Sequence, residues 1–134
     1  MILIYSDGAS RGNPGPASIA YVILSGNKVL CENSEFVGKM TNNQVEYFAL
    51  ISALKSASNI TDAEVICHVD SQLVVKQLNR LYRTRNSVLK KLSDEVKDLA
   101  RRFSDVTFTH VPREDAWIRA VDRLANQTLD NLGF

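Results

Sequence analysis

Two cysteines, Cys31 and Cys67, are all that 134 residues contain, and no CxxC pair is among them. That scarcity excludes a zinc site built on paired thiols and a disulfide scaffold, and predicts two buried free thiols. No apolar run approaches the roughly 20 residues that a membrane span requires. No basic segment followed by an apolar run opens the chain, so no secretory signal is read and the expected location is the cytoplasm. Repeats, low-complexity tracts and linkers are also missing. The length therefore suits a single domain, residues 1–134, large enough to bury a real core. With 45% hydrophobic and 23% charged residues, the composition is that of an ordinary soluble globular protein.

Charge is present but unevenly placed. The net charge is only +1. From Arg80 to Arg102, however, eight cations (Arg80, Arg83, Arg85, Lys90, Lys91, Lys97, Arg101, Arg102) face only Asp94, Glu95 and Asp98. The segment carries +5 and leaves −4 for the rest. A solvated helix with a few ion pairs accounts for such a count. So does a protein that meets a polyanion with one part and binds metal with another.

The chain is organised around Ile2-Leu3-Ile4-Tyr5-Ser6-Asp7-Gly8, which reads as an apolar strand over 2–7 ending in a carboxylate. Gly8, Gly12, Pro14 and Gly15 then read as a glycine-rich turn. Leu3, Tyr5 and Asp7 share one face of the strand. A carboxylate there is costly unless something pairs with it, and a bound cation is one such partner. A turn or capping role is the other reading.

Further strands are predicted at Ala17–Leu24 and Lys28–Val37, joined by a Ser25-Gly26-Asn27 hairpin turn. Thr41 with Gln44 three residues on is a capping box, and it opens a helix to about Ala57. Glu64–Val69 is a fourth strand, ending in Asp70. A strand, helix, strand order implies a right-handed crossover, which sets this strand parallel to the first and Asp70 near Asp7. A short helix follows over 71–79, then a basic connector, a helix capped at Asn86-Ser87 and running to about Phe103, and a fifth strand over 105–111. A last helix carries Asp122, Asn126 and Asp130 on one face.

Asp7, Glu46, Asp70 and Asp122 stand out as acids at element ends or early helical turns. Clustered carboxylates cannot all stay ionised without a cation. Hard oxygen ligands select magnesium or manganese. Two such ions about 3.5–4 Å apart suit a phosphodiester displacement.

The motifs Tyr5-Ser6-Asp7-Gly8-Ala9-Ser10-Arg11-Gly12-Asn13-Pro14-Gly15, Thr41-Asn42-Asn43-Gln44-Val45-Glu46-Tyr47, Val69-Asp70-Ser71, His110-Val111-Pro112-Arg113-Glu114 and Asp122-Arg123-Leu124-Ala125-Asn126 resemble those of type 1 ribonuclease H. Their order is that of the family and they span nearly the whole chain. The resemblance implies a ribonuclease H-like α/β fold, with a five-stranded mixed sheet in the order 3-2-1-4-5 and helices on both faces. It implies endonucleolytic hydrolysis of the RNA strand of RNA–DNA hybrids to 5′-phosphate and 3′-hydroxyl ends, by a monomer. Two Mg2+ ions, or Mn2+, would be held by Asp7, Glu46, Asp70 and Asp122. Ser10, Gly12 and Asn13 match positions that contact RNA near the cut, Asn42 and Asn43 the pair that meets 2′-hydroxyls, and Thr41 a DNA-phosphate contact. His110 corresponds to a histidine near the scissile phosphate. Neutral amides suit a hydroxyl, since they both donate and accept, and the 2′-hydroxyl is what separates RNA from DNA.

Two features depart from the family pattern. There is no room for the basic protruding helix of some members, as in the short archaeal and plant-like branch. Arg83, Arg85 and the other basic residues nearby are expected to hold substrate instead. The spacing from His110 to Asp122 is also longer than usual, with Ile118 where asparagine is customary. Ala116, Trp117 and Ile118 are apolar enough to begin the last helix early with Asp115 as its N-cap, but a longer loop over 113–117, with the helix beginning near Ile118, is the expectation, and Asp115 is the alternative ligand. Two rival functions share these residues: a hybrid- or double-stranded-RNA-binding module that no longer cuts, and a DNA nuclease or transposase core.

Overall fold

Alternation along the first strand decides the architecture. Ile2 and Ile4 point to one side of the sheet and Leu3 and Tyr5 to the other, and each side collects its own helices. The computed structural model describes residues 1–134. Its elements are β1 (Ile2–Ser10), β2 (Gly15–Ser25), β3 (Lys28–Met40), α1 (Asn42–Ser58), β4 (Glu64–Val69), α2 (Gln72–Leu78), α3 (Ser87–Ala100), β5 (Asp105–His110) and α4 (Ala116–Asn131).

The strands form one sheet in the predicted order, β3-β2-β1-β4-β5. β1, β2 and β3 pair antiparallel, while β4 runs parallel to β1 and to β5. Ile2, Ile4, Val65, Cys67 and Val69 form the sheet side of the larger core beneath α1, α2 and α3. Across the sheet, Ile118, Val121 and Ala125 of α4 pack on Ala20, Val22 and Leu24 of β2.

α1 lies between the sheet and α3 and buries residues on most of its surface, from Val45 and Tyr47 to Leu54 and Ala57. A helix enclosed in this way needs no polar stripe. Its capping box is formed as predicted, with Gln44 N–H donating to Thr41 Oγ1 and Thr41 N–H to Gln44 Oε1. Cys31 and Cys67 are both free thiols, but only Cys67 is buried; Cys31, on the outer strand β3, is half-buried. The register Cys31–Ile23–Ile4–Cys67 crosses three strand spacings, about 14 Å, too far for a disulfide.

Two boundaries differ from the sequence reading. The β-ladder does not stop at Asp7 but continues through Asp7↔Ala20 to Ser10↔Ala17, while β3 reaches Met40 opposite Gly15. Asp7 therefore sits inside a strand, and the glycines that signalled a turn lie partly in the ladder. At the other end α4 begins at Ala116, not near Ile118. Asp115 caps it by accepting from the Trp117 and Ile118 N–H groups. An aspartate at the cap and apolar Trp117 and Ile118, packed towards the sheet, outweigh the loop spacing.

Candidate active site

The site forms where β1 and β4 adjoin. Asp7 is 3% exposed, and its neighbour Gly8 lies directly under α1. A Cβ on Gly8 would come within 2.8 Å of Val45 Cγ1 and 2.9 Å of the Val45 backbone. Only glycine permits this approach, which brings Glu46, the next residue of α1, over the strand. One backbone N–H then serves both acids: Gly8 N–H donates to Asp7 Oδ1 at 2.9 Å and to Glu46 Oε1 at 3.2 Å. Asp70 follows β4, held beside β1 by parallel pairing. Carboxylate oxygens of Asp7, Glu46 and Asp70 all lie within 4.8 Å of one another.

Their electrostatics are those of acids forced together. Burial, then Glu46 and then Asp70 and Asp122, push the Asp7 carboxyl far above the usual carboxylate range. Burial raises Glu46 to about 7. Asp70 is raised by burial, with Arg113 opposing. Glu46 Oε2 is buried and has no hydrogen-bond partner. A buried oxygen left unpaired beside two other carboxylates fits a divalent cation, which would supply the missing partner.

Asp122 approaches from α4. That helix is docked by Ser18 Oγ donating to the Ala125 carbonyl at 2.5 Å and by the Ser34–Thr128 hydroxyl pair at 2.6 Å. Asp122 is exposed and stands outside the tight trio, but it lines the same cleft of about 290 Å³. Asn126 Nδ2 donates to its carbonyl at 3.0 Å and its Oδ1 at 3.3 Å. Two turns into the helix, Asp122 thus still faces Asp7. Asp115, the alternative, is occupied as the helix cap.

Asn42 and Asn43 line the cleft beside the acids. Asn13 Oδ1 accepts from the Asn42 N–H at 3.0 Å, so the turn after β1 holds the start of α1 in place. Asn13, Thr41, Asn43 and Gln44 line a second, smaller cleft together with Asn86, the cap of α3, and Leu89 within it. Ser10 lines neither, and its hydroxyl donates to the Gly12 and Met40 carbonyls. Gly12, at φ +126°, shapes the turn and lines neither.

His110 ends β5 opposite Val69, exposed and outside the set of residues that line the acidic cleft. Arg113, three residues on, lines it, with Nε 3.8 Å from Asp70 Oδ2. The signal for Arg113 was in the sequence, as a cation just past the strand that ends the sheet. Arg83 and Arg85 also lie apart from the acids. Arg83 lines a separate cleft by α3, and Arg85 lines none of the clefts described here. Asn86, read only as a cap, serves two purposes: its Oδ1 accepts from the Val88 and Leu89 N–H groups while the residue borders the Asn13 cleft.

A mixed 3-2-1-4-5 sheet whose acids converge where β1 meets β4 defines the ribonuclease H-like fold class. Comparison with known proteins narrows this. Residues 5–128 match the family model described as reverse transcriptase-like. The chain is 42% identical to ribonuclease HI of Halobacterium salinarum over 95% of its own length and 63% of that protein's. The crystal structure of that archaeon's RNase H1 superposes with a TM-score of 0.91 at 41% identity, covering 97% of this chain and 98% of that one. LC11-RNase H1, solved in complex with an RNA/DNA hybrid, superposes with a TM-score of 0.92 at 36% identity over 98% and 99% of the two chains. A bifunctional protein of Mycobacterium tuberculosis is 37% identical over 96% of this chain, which spans only 35% of that protein. The chain belongs to the type 1 ribonuclease H family.

Proposed function

We propose that residues 1–134 act as a ribonuclease H domain that hydrolyses the RNA strand of RNA–DNA hybrids. The observation that carries this reading is the convergence of Asp7, Glu46 and Asp70 with a buried, unpartnered Glu46 oxygen, in a chain 36% identical to an RNase H1 solved on an RNA/DNA hybrid. Asp7, Glu46 and Asp70, with Asp122 from α4, would hold divalent cations, Mg2+ by the hardness of the oxygen donors. When bound, such ions activate water and neutralise the leaving oxygen of a phosphodiester.

The chain's own residues do the rest. Gly8 N–H fixes the Asp7 and Glu46 carboxylates in one orientation. Asn42 and Asn43 present amides at the cleft wall, able to donate to and accept from a 2′-hydroxyl. The Thr41 and Asn86 cleft, at the start of α3, suits a phosphate of the opposite strand. Arg113 supplies the one cation facing the acids and is placed to steady a phosphate at the cut or leaving with the product. Cleavage would leave 5′-phosphate and 3′-hydroxyl ends.

The test is a labelled hybrid offered beside double-stranded RNA and DNA of the same sequence, with and without Mg2+. Cutting of the hybrid's RNA in Mg2+ alone is expected. Tight binding of the hybrid with no cutting would favour a binding module, and cutting of DNA would favour a DNA nuclease.

A further inference from the structure

The face of α4 that carries Asp122, Asn126 and Asp130 has only its first member in the acidic cleft. The other two meet Arg11, from the turn between β1 and β2. Arg11 Nη2 lies 2.8 Å from Asp130 Oδ1 and donates at 3.3 Å to both the Asn126 carbonyl and Asn126 Oδ1. Its Nη1 donates to the Phe134 carbonyl at 2.7 Å. α4 has no basic residue in its own last turn, where the helix dipole favours a cation. A guanidinium from near the other end of the sequence takes that place.

An exposed ion pair contributes little by itself. The contacts beyond it single Arg11 out. A guanidinium has donors only, so the Asn126 side chain turns its oxygen towards it. The amide N–H groups are then left for the other side, where Nδ2 donates to the Asp122 carbonyl at 3.0 Å and to Asp122 Oδ1 at 3.3 Å. A reversed amide would set its NH2 against the guanidinium and its oxygen against the carboxylate.

The turn is fixed as well. Arg11 N–H donates to the Pro16 carbonyl at 2.8 Å. Two residues on, Asn13 Oδ1 accepts from the Asn42 N–H at 3.0 Å. One side chain thus joins the segment that holds the start of α1 to the helix that brings Asp122. Asp122 needs such a constraint. It is exposed, stands outside the tight trio, and its carboxylate accepts from no residue but Asn126.

We propose that Arg11 and Asn126 are positioning residues for the fourth acid: Arg11 fixes the Asn126 amide, and the amide aims the Asp122 carboxylate into the cleft lined by Asp7, Glu46 and Asp70. Their role rests on the ribonuclease reading, in which Asp122 helps to hold a divalent cation. Neither residue touches substrate or cation. With the contacts broken, the Asp122 carboxylate turns freely in solvent, and more Mg2+ is needed for the same occupancy.

The experiment uses magnetic resonance and cleavage together. In the metal-free protein the two Asn126 Nδ2 protons should give separate, slowly exchanging signals, and Arg11→Leu should move both to the position of a free amide. In a Mg2+ titration followed at the Asp122 side-chain carboxyl carbon, Arg11→Leu and Asn126→Leu should each raise the midpoint severalfold. The double variant should be no worse than either, because the two act as one chain of contacts. The Mg2+ concentration for half-maximal hybrid cleavage should rise in step, and Arg11→Lys, which keeps a donor, should recover part of the loss. Thr128→Val, which removes the hydroxyl pair with Ser34, should lower the unfolding midpoint and leave both Mg2+ midpoints at the parent's values. Unchanged Asn126 signals in Arg11→Leu, effects that multiply in the double variant, or Mg2+ midpoints that track unfolding midpoints across all the variants would overturn the proposal. A parent that binds Mg2+ but cuts no hybrid would refute the proposed activity alone. The carboxyl titration then still decides the positioning role: a raised midpoint in Arg11→Leu upholds it, and an unchanged one overturns it.

Discussion

Replacing Asp7 with asparagine should make the metal-free protein more stable while removing its activity. Asp7 and Glu46 carry carboxylate oxygens within 4.8 Å of each other, and Asp70 completes the trio. Two unit charges at that separation repel by about 0.9 kcal/mol at the dielectric of water and about 3.5 kcal/mol at an effective dielectric of 20. Burial places the pair towards the upper figure, and partial protonation relieves some of it, so a gain of about 2 kcal/mol is expected. Asparagine keeps an oxygen to accept from the Gly8 N–H, so the variant loses no hydrogen bond. In saturating Mg2+ the order should reverse. A ligand at 100 times its dissociation constant stabilises the parent by about 2.7 kcal/mol, and the variant forfeits most of that. Urea denaturation in EDTA and in Mg2+, beside cleavage of a labelled hybrid, measures all three effects. A variant less stable than the parent in EDTA, or equally stabilised by Mg2+, would refute the reasoning.

Further predictions follow from the same geometry. Burial lifts Glu46 to about 7 from an unfolded value near 4.5, so the native protein binds more protons than the unfolded chain between those values. Metal-free stability should therefore fall as pH rises from about 4.5 to 7; urea midpoints rising over that range would contradict the shift. Gly8→Ala should cost about 1–3 kcal/mol by overpacking against Val45 and should also lower Mg2+ affinity, measurable by calorimetry. A stable Gly8→Ala with normal affinity would show that α1 need not lie so close. Asp115→Ala should cost about 1 kcal/mol and speed hydrogen exchange at Trp117 and Ile118. Unchanged exchange there would contradict the observed cap.

Much of this was legible from pattern. The alternation in Ile2–Tyr5, the Thr41/Gln44 box and the strand–helix–strand order are local signals, and together they fix which strands adjoin and hence that Asp7 and Asp70 meet. What escaped was decided by tertiary context. Gly8 reads as a turn residue, yet its task is to let Val45 come close in the middle of a strand. The start of α4 was obscured because loop spacing argued against the local signal of an aspartate cap followed by Trp117 and Ile118. His110 and Arg113 are three residues apart in one motif, and only the folded chain shows that Arg113 lines the acidic cleft beside Asp70. The basic run is visible as charge, but its gathering at the separate cleft by α3 depends on how α2 meets that helix, which no short motif records.

The most direct test follows both strands of one hybrid, with the RNA and the DNA separately end-labelled, in Mg2+ and in EDTA, for the parent and for Asp70→Asn. The account predicts internal cuts in the RNA alone, new 5′-phosphate ends, and no cutting in EDTA or by the variant. Cutting of the DNA strand, or RNA cutting that survives both EDTA and Asp70→Asn, would contradict it.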